Sequence, residues 1–87
     1  MANILEKLAN GLELPAEAMA GAPKVTLTGA ERVLVENHCG VLSYSDGMVE
    51  VGARNAKVTI RGDGLLLRAM DREMLLITGH IFGVDIE

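Results

Sequence analysis

The stretch Lys57–Met70, KVTIRGDGLLLRAM, constrains the fold of this chain more than any other. Val58 and Ile60 alternate with Lys57, Thr59 and Arg61. A period of two sends successive side chains to opposite faces of a strand, one toward a core and one toward water. Gly62-Asp63-Gly64 follows, and residues that tolerate positive φ suit a tight reversal. Leu65, Leu66 and Leu67 open the return, and Arg68 restores a polar side chain. The segment predicts a β-hairpin turning at Gly62–Gly64.

The blocks around it are weaker versions of the same pattern. Val25 and Leu27 alternate with threonines and stop at Gly29, and Val33–Val35 follow. Gly40–Ser45 leads into Asp46-Gly47, a two-residue hairpin signal, and Met48–Val51 form the return. Asn55 marks a turn, and Asp71-Arg72-Glu73 a charged one. Met74–Thr78 reads as a strand ending at Gly79, and His80–Glu87 as a last strand with Phe82, Val84 and Ile86 on one face. Leu27-Thr28-Gly29, Ile60-Arg61-Gly62 and Ile77-Thr78-Gly79 close three strands with similar phrases. The expectation is a mainly β domain over 24–87, an antiparallel meander of about eight short strands closing into a small sandwich or barrel-like sheet. A β-solenoid is the alternative that such repetition allows.

Residues 2–20 read differently. Asn3 as N-cap with Glu6 three positions on makes a capping box, and Gly11 stops the helix. Ile4, Leu5, Leu8 and Leu12 share one helical face. Leu14-Pro15 breaks the segment, and Pro15 suits the first position of a further helical turn. So short a helix is unstable alone in water and must dock, on its own β core or on a partner. Ile4, Leu8 and Leu12 are therefore partner-contact candidates.

Composition narrows the function. An 87-residue chain supports one domain with a modest core. Aromatic residues are 2% of it, so the core is aliphatic and no base-stacking platform exists. The five methionines read as core filler. A net charge of −4 opposes general nucleic-acid binding and attraction to an anionic membrane. The lone Cys39 makes no internal disulfide and fits a reducing compartment. The start of the chain carries no signal-like apolar run, and apolar runs fall far short of the roughly 20 residues that span a bilayer. The expected location is the cytoplasm.

Glu36, Asn37, His38 and Cys39 concentrate the reactive groups. With His80 they suggest a metal or nucleophilic site. The spacing lacks the pairs of ligands that zinc sites use, and nothing marks an oxyanion site or orienting group. No catalytic residue, metal ligand or cofactor is expected. The favoured reading has Asn37 and His38 shaping a turn, since asparagine tolerates the left-handed region. Gly62-Asp63-Gly64 lacks the helix and Lys-Ser/Thr of a phosphate loop. The first strand, Val25–Thr28, and the last, Ile81–Ile86, have few blocking charges and no proline, which makes them candidate edges. Ile81, Phe82 and Val84, with Glu36, Asn37 and His38, complete the partner-contact candidates.

The phrase VTLTGAERVLVENHCGVLSYSDGMVEVG resembles the YabP/YqfC family of sporulation proteins. Leu27, Thr28, Gly29, Val35, Glu36, Asn37, His38, Gly40 and Val41 carry the likeness, and VTIRGDGLLLRAMDREMLLITGHIFGVDIE resembles the family's second half. Leu12–Pro15, LELP, is nearer the YqfC branch. Cys39 departs from the small or basic residue common there. The resemblance implies a non-enzymatic structural or assembly factor in the mother cell of an endospore-former. It further implies a homo-oligomer or a complex with a larger membrane protein, YqfD-like, which would hold the chain peripherally. The alternative is a small metal-binding protein or enzyme using His38, Cys39 and His80.

Overall fold

A computed structural model describes residues 21–87. They form six strands: β1 Lys24–Thr28, β2 Arg32–Glu36, β3 His38–Tyr44, β4 Met48–Ala53, β5 Ala56–Met70 and β6 Met74–Ile86. All neighbours are antiparallel, in the order β1-β2-β6-β5-β4-β3. The mainly β antiparallel expectation holds, and the solenoid, which needs parallel coils, does not. The predicted helix, with Ile4, Leu8 and Leu12, lies outside the described residues.

Six strands replace the expected eight because two predicted breaks are not breaks. Gly62-Asp63-Gly64 lies inside β5, and Gly79 lies inside β6. The two long strands run side by side and bend together. Asp63 pairs with His80 and Leu66 with Thr78, so Gly64 and Leu65 stand opposite Gly79 alone. Arg61 pairs with Gly83 and Gly62 with Ile81, which leaves Phe82 unpaired. Each extra residue is a β-bulge, which bends a strand and flips its alternation. The buried set accordingly runs Val58 and Ile60, then Leu65, along β5, and Leu75, Ile77 and Ile81 along β6. Beyond Phe82 the inward position passes to Val84, which packs against the same core.

The bend divides the sheet into two halves. In the near half β1, β2, Met74–Thr78 of β6 and Leu66–Met70 of β5 lie side by side. In the far half the C-terminal part of β6, the N-terminal part of β5, β4 and β3 do so. Val33 and Val35 from the near half join Val49, Val51, Val58 and Ile60 from the far half in one aliphatic cluster. Valines dominate because a stiff, branched side chain packs well on a pleated surface.

Gly62 and Gly79 let β5 and β6 approach at the bend. A Cβ at Gly62 would fall on the His80 carbonyl oxygen and lie 2.8 Å from Leu65 Cδ2. Gly79 has φ 140°, and its Cβ would lie 2.7 Å from the Gly64 carbonyl oxygen. Of the three glycine-ending phrases of the sequence, Leu27-Thr28-Gly29 does end a strand, whereas those at Gly62 and Gly79 mark a crossing.

The shorter turns are where the sequence puts them. Ser45 N–H donates to Met48 O at 2.8 Å across Asp46-Gly47. Asn55, at φ 56°, turns β4 into β5. Asp71 Oδ1 accepts from the N–H groups of Glu73 and Met74 at 2.8 and 2.7 Å, closing the β5–β6 turn. Met1 and Met19 lie outside the described residues, and the three described methionines are not core filler: Met48, Met70 and Met74 are 41%, 54% and 42% exposed.

Candidate functional site

The Val35–His38 phrase, the most reactive stretch of the sequence, folds into a corner joining the halves. Val35 is fully buried and anchors it. Asn37 takes φ 64°, a left-handed conformation that asparagine tolerates better than most residues. Its N–H donates to Glu73 O at 2.7 Å, and its Nδ2 donates to Ala22 O at 2.9 Å. His38 then crosses to the β5–β6 turn. Gly40 N–H donates to His38 Nδ1 at 2.9 Å, which leaves the ring proton on Nε2, where it is donated to Asp71 O at 2.8 Å. Glu36 reaches Lys24 Nζ at 3.9 Å. Asn37 and His38 therefore clasp the β2–β3 corner to the β5–β6 turn and the approach to β1.

This arrangement leaves little chemistry. Both ring nitrogens of His38 serve backbone groups, so neither is free for a metal or a proton transfer. Cys39 is exposed and sits in a bulge, since His38 pairs with Ala53 and Gly40 with Gly52. His80 stands at the bend on another strand, its ring edge-on to Phe82 with centroids 5.3 Å apart. Among the described residues no three His, Cys, Asp or Glu side chains come together as metal ligands. The clasp partners Ala22, Asp71 and Glu73 contribute mainly backbone carbonyls, which no side-chain motif could reveal.

Replacing Asn37 tests the clasp. Asn37→Ala forfeits the favourable left-handed residue and the Nδ2 hydrogen bond, for an expected loss of about 1–2 kcal/mol in urea unfolding. Asn37→Gly restores the conformation and should lose less. Equal losses would show that φ 64° is not a source of strain there.

The remaining contact candidates divide. Ile81 is 7% exposed and belongs to the core, so it offers no contact surface. Val84 is half-buried, and Phe82, in its bulge, is 63% exposed. The last strand is not a sheet edge throughout: Met74–Thr78 is sandwiched between β2 and β5. Beyond Ile81, β6 pairs with β5 alone among the described residues.

The two outer faces differ. On the far half, Ser43, Glu50, Thr59 and Asp85 form one cross-strand row. Lys57 Nζ reaches Glu50 at 3.1 Å and Glu87 at 3.5 Å, and Arg61 Nε reaches Asp85 at 2.9 Å. On the near half the equivalent row is Thr26, Leu34, Leu76 and Ala69. Leu34, Ala69, Met74 and Leu76 of this face, with Met70, Asp71 and Leu75 at the adjoining turn, line a shallow hollow of about 220 Å³. Sequence periodicity missed this face because every second residue of a two-layer β domain was assumed to meet water.

The far-half row sets a pH response. The Ser43 hydroxyl, then Lys57, hold the Glu50 carboxyl below its ordinary range, and Glu50 and Glu87 hold the Lys57 ammonium above its own. Met74 and Glu73 N–H groups lower Asp71. Depressed carboxyls stabilise the fold above their unfolded values and lose that contribution as pH falls through the folded ones. Lys57 contributes fully below about pH 10.5 and loses its contribution as pH rises through its raised folded value. Stability should therefore plateau between about pH 5 and pH 10. Glu50→Gln should flatten the acid limb and, by removing one of the two charges that favour the ammonium, part of the alkaline limb. Urea midpoints measured across pH at low salt would check it.

The YabP family matches residues 19–86. Uncharacterized protein YqfC of Bacillus subtilis (strain 168) is 30% identical over 74 residues, which covers 85% of this chain and 80% of the relative. No solved structure matches significantly. With the family matched across the whole described sheet, the chain belongs to the YabP family.

Proposed function

We propose that this chain is a non-enzymatic assembly factor of sporulation, acting in the mother cell through protein–protein contacts. The observation that carries the reading is the unequal pair of outer faces. The far face is covered by linked ion pairs, whereas the near face, beside its single Lys24–Glu36 pair, presents Leu34, Leu76, Ala69 and Met74 around a hollow whose rim Met70 completes. Apolar groups gathered on one face of a small domain mark a contact surface. Methionines suit such a surface because their side chains adapt to a partner. Of His38, Cys39 and His80, His38 has both ring nitrogens engaged with backbone in the clasp. The resemblance to sporulation proteins supports the sporulation setting, and a YqfD-like membrane protein is the partner proposed for the near face.

Deletion of the gene in its own host, scored by heat-resistant spores, tests this. Deletion should lower the count, and wild-type or Cys39→Ser/His80→Ala protein should restore it. Met70→Glu/Met74→Glu protein should be folded by circular dichroism yet fail to restore it. Unchanged spore counts on deletion, or failure of a folded Cys39→Ser/His80→Ala variant, would overturn the reading.

A further inference from the structure

The edges of the sheet are not equally protected. Exposed strand edges invite pairing with another chain, and bulges or covering groups block it. On β3, Cys39 and Leu42 are both bulged out of register with β4, and Gly40 takes φ 118°. The edge of β5 beyond the bend is plugged by Tyr44, whose hydroxyl donates to Leu65 O at 3.3 Å and accepts from Leu67 N–H at 3.1 Å. That is the pair of bonds a neighbouring strand would make. The C-terminal part of β6 begins at the Phe82 bulge. Only β1 has none of these devices: its five residues pair with β2 in unbroken register from Lys24↔Glu36 to Thr28↔Arg32. Its outer edge has no strand partner among the described residues.

We propose that β1 pairs with β1 of a second copy, antiparallel about a two-fold axis through Thr26. The sequence Lys24-Val25-Thr26-Leu27-Thr28 is complementary to itself in this register. Lys24 faces the second copy's Thr28, so no like charges meet. Val25 faces Leu27, and Thr26 faces Thr26. Directly opposed aliphatic and threonine pairs stabilise antiparallel strands. Leu27, 52% exposed on the side of β1 that bears Val25, would gain a cover that the described residues of one copy do not give it. The pairing is isologous and therefore closes at two chains. It also deepens the proposed function, and rests on it. Thr26 heads the row Thr26–Leu34–Leu76–Ala69, so two copies joined at Thr26 would merge their near faces into one apolar surface twice as long.

Sedimentation velocity of the full chain, from about 10 to 500 µM, tests this at the affinities that short strand pairing supports. The wild type should form dimers and nothing larger. Thr26→Glu and Thr26→Lys each place like charges face to face at the axis and should weaken the dimer by roughly tenfold or more. Thr26 is exposed, so both variants should retain the wild-type circular dichroism spectrum. Mixing the two should restore a dimer containing one copy of each. A wild type that stays monomeric throughout, or variants that fail to recover on mixing, would overturn the β1 register. A dimer that survives Thr26→Glu but dissolves with Met70→Glu/Met74→Glu would also overturn it, while leaving the assembly reading intact. Normal spore counts with Met70→Glu/Met74→Glu would instead remove that reading, whatever β1 does.

Discussion

Gly79→Ala is expected to remove a large share of this protein's stability. The substitution introduces two costs at one point. A φ of 140° is essentially closed to a residue with a Cβ, which costs about 1–3 kcal/mol. The new methyl also meets the Gly64 carbonyl oxygen at 2.7 Å and Leu65 Cα at 3.0 Å, and overpacking against backbone costs a further 1–3 kcal/mol or so. A chain of 87 residues has a total stability of roughly 4–13 kcal/mol. The combined cost of about 2–6 kcal/mol is thus a large share of the whole. Neither neighbour can swing aside as a flexible side chain would, because both belong to β5 at the crossing. Gly29→Ala is the informative control. Gly29 also has positive φ, at 60°, but its Cβ would meet nothing within 4 Å. It should therefore lose only the conformational part, about 1 kcal/mol. Urea midpoints by circular dichroism separate the two, and near-equal losses would mean that the crossing is looser than 2.7 Å implies.

The second large effect is expected from Ile60→Ala. Ile60 is fully buried in β5 and sits between the halves among Val49, Val58 and Val84. Truncation removes three carbons from an aliphatic cluster with no aromatic ring able to relax into the space. The loss should be about 2–5 kcal/mol, the upper part of the range applying if the site does not collapse. Leu66→Ala, on the outer side of the same strand at 50% exposure, should stay within about 0.5 kcal/mol. If Ile60→Ala costs no more than Leu66→Ala, the halves do not share one core.

Both predictions turn on how a simple alternation was converted into a fold. Val58 and Ile60 announce a half-buried strand, and Leu65 and Leu67 announce another. The phase shift between them reads equally as two strands around a turn or as one strand with an extra residue. Glycine, aspartate and glycine between them serve both. What decides is a partner strand with a matching irregularity. β6 carries Gly79 and the Phe82 bulge at the places that let it follow β5 through the bend. That match lies between residues far apart in the chain, and local pattern cannot register it. The same blindness placed Ile81 on an edge, although it continues the inward alternation of Leu75 and Ile77 and is buried.

The clasp was legible in part. Asparagine in an ENH phrase between two aliphatic runs gives a left-handed turn from its own chemistry, and Asn37 is there at φ 64°. The identity of its partners was not legible, because carbonyls of Ala22, Glu73 and Asp71 leave no mark on a sequence. The same holds for Tyr44. A tyrosine ending a strand says nothing of the two backbone groups it will cover.

By itself, then, the sequence determined an antiparallel β domain, its aliphatic core, its short turns at Asp46-Gly47, Asn55 and Asp71–Glu73, and its family. Those follow from side-chain period and local backbone preference, which act over a few residues. The tertiary structure alone decided that β5 and β6 are single bent strands, that β1 is the unprotected edge, and that one outer face is covered by linked ion pairs while the other carries an apolar hollow. Those depend on which strands become neighbours, and that choice is made by the burial of one shared core.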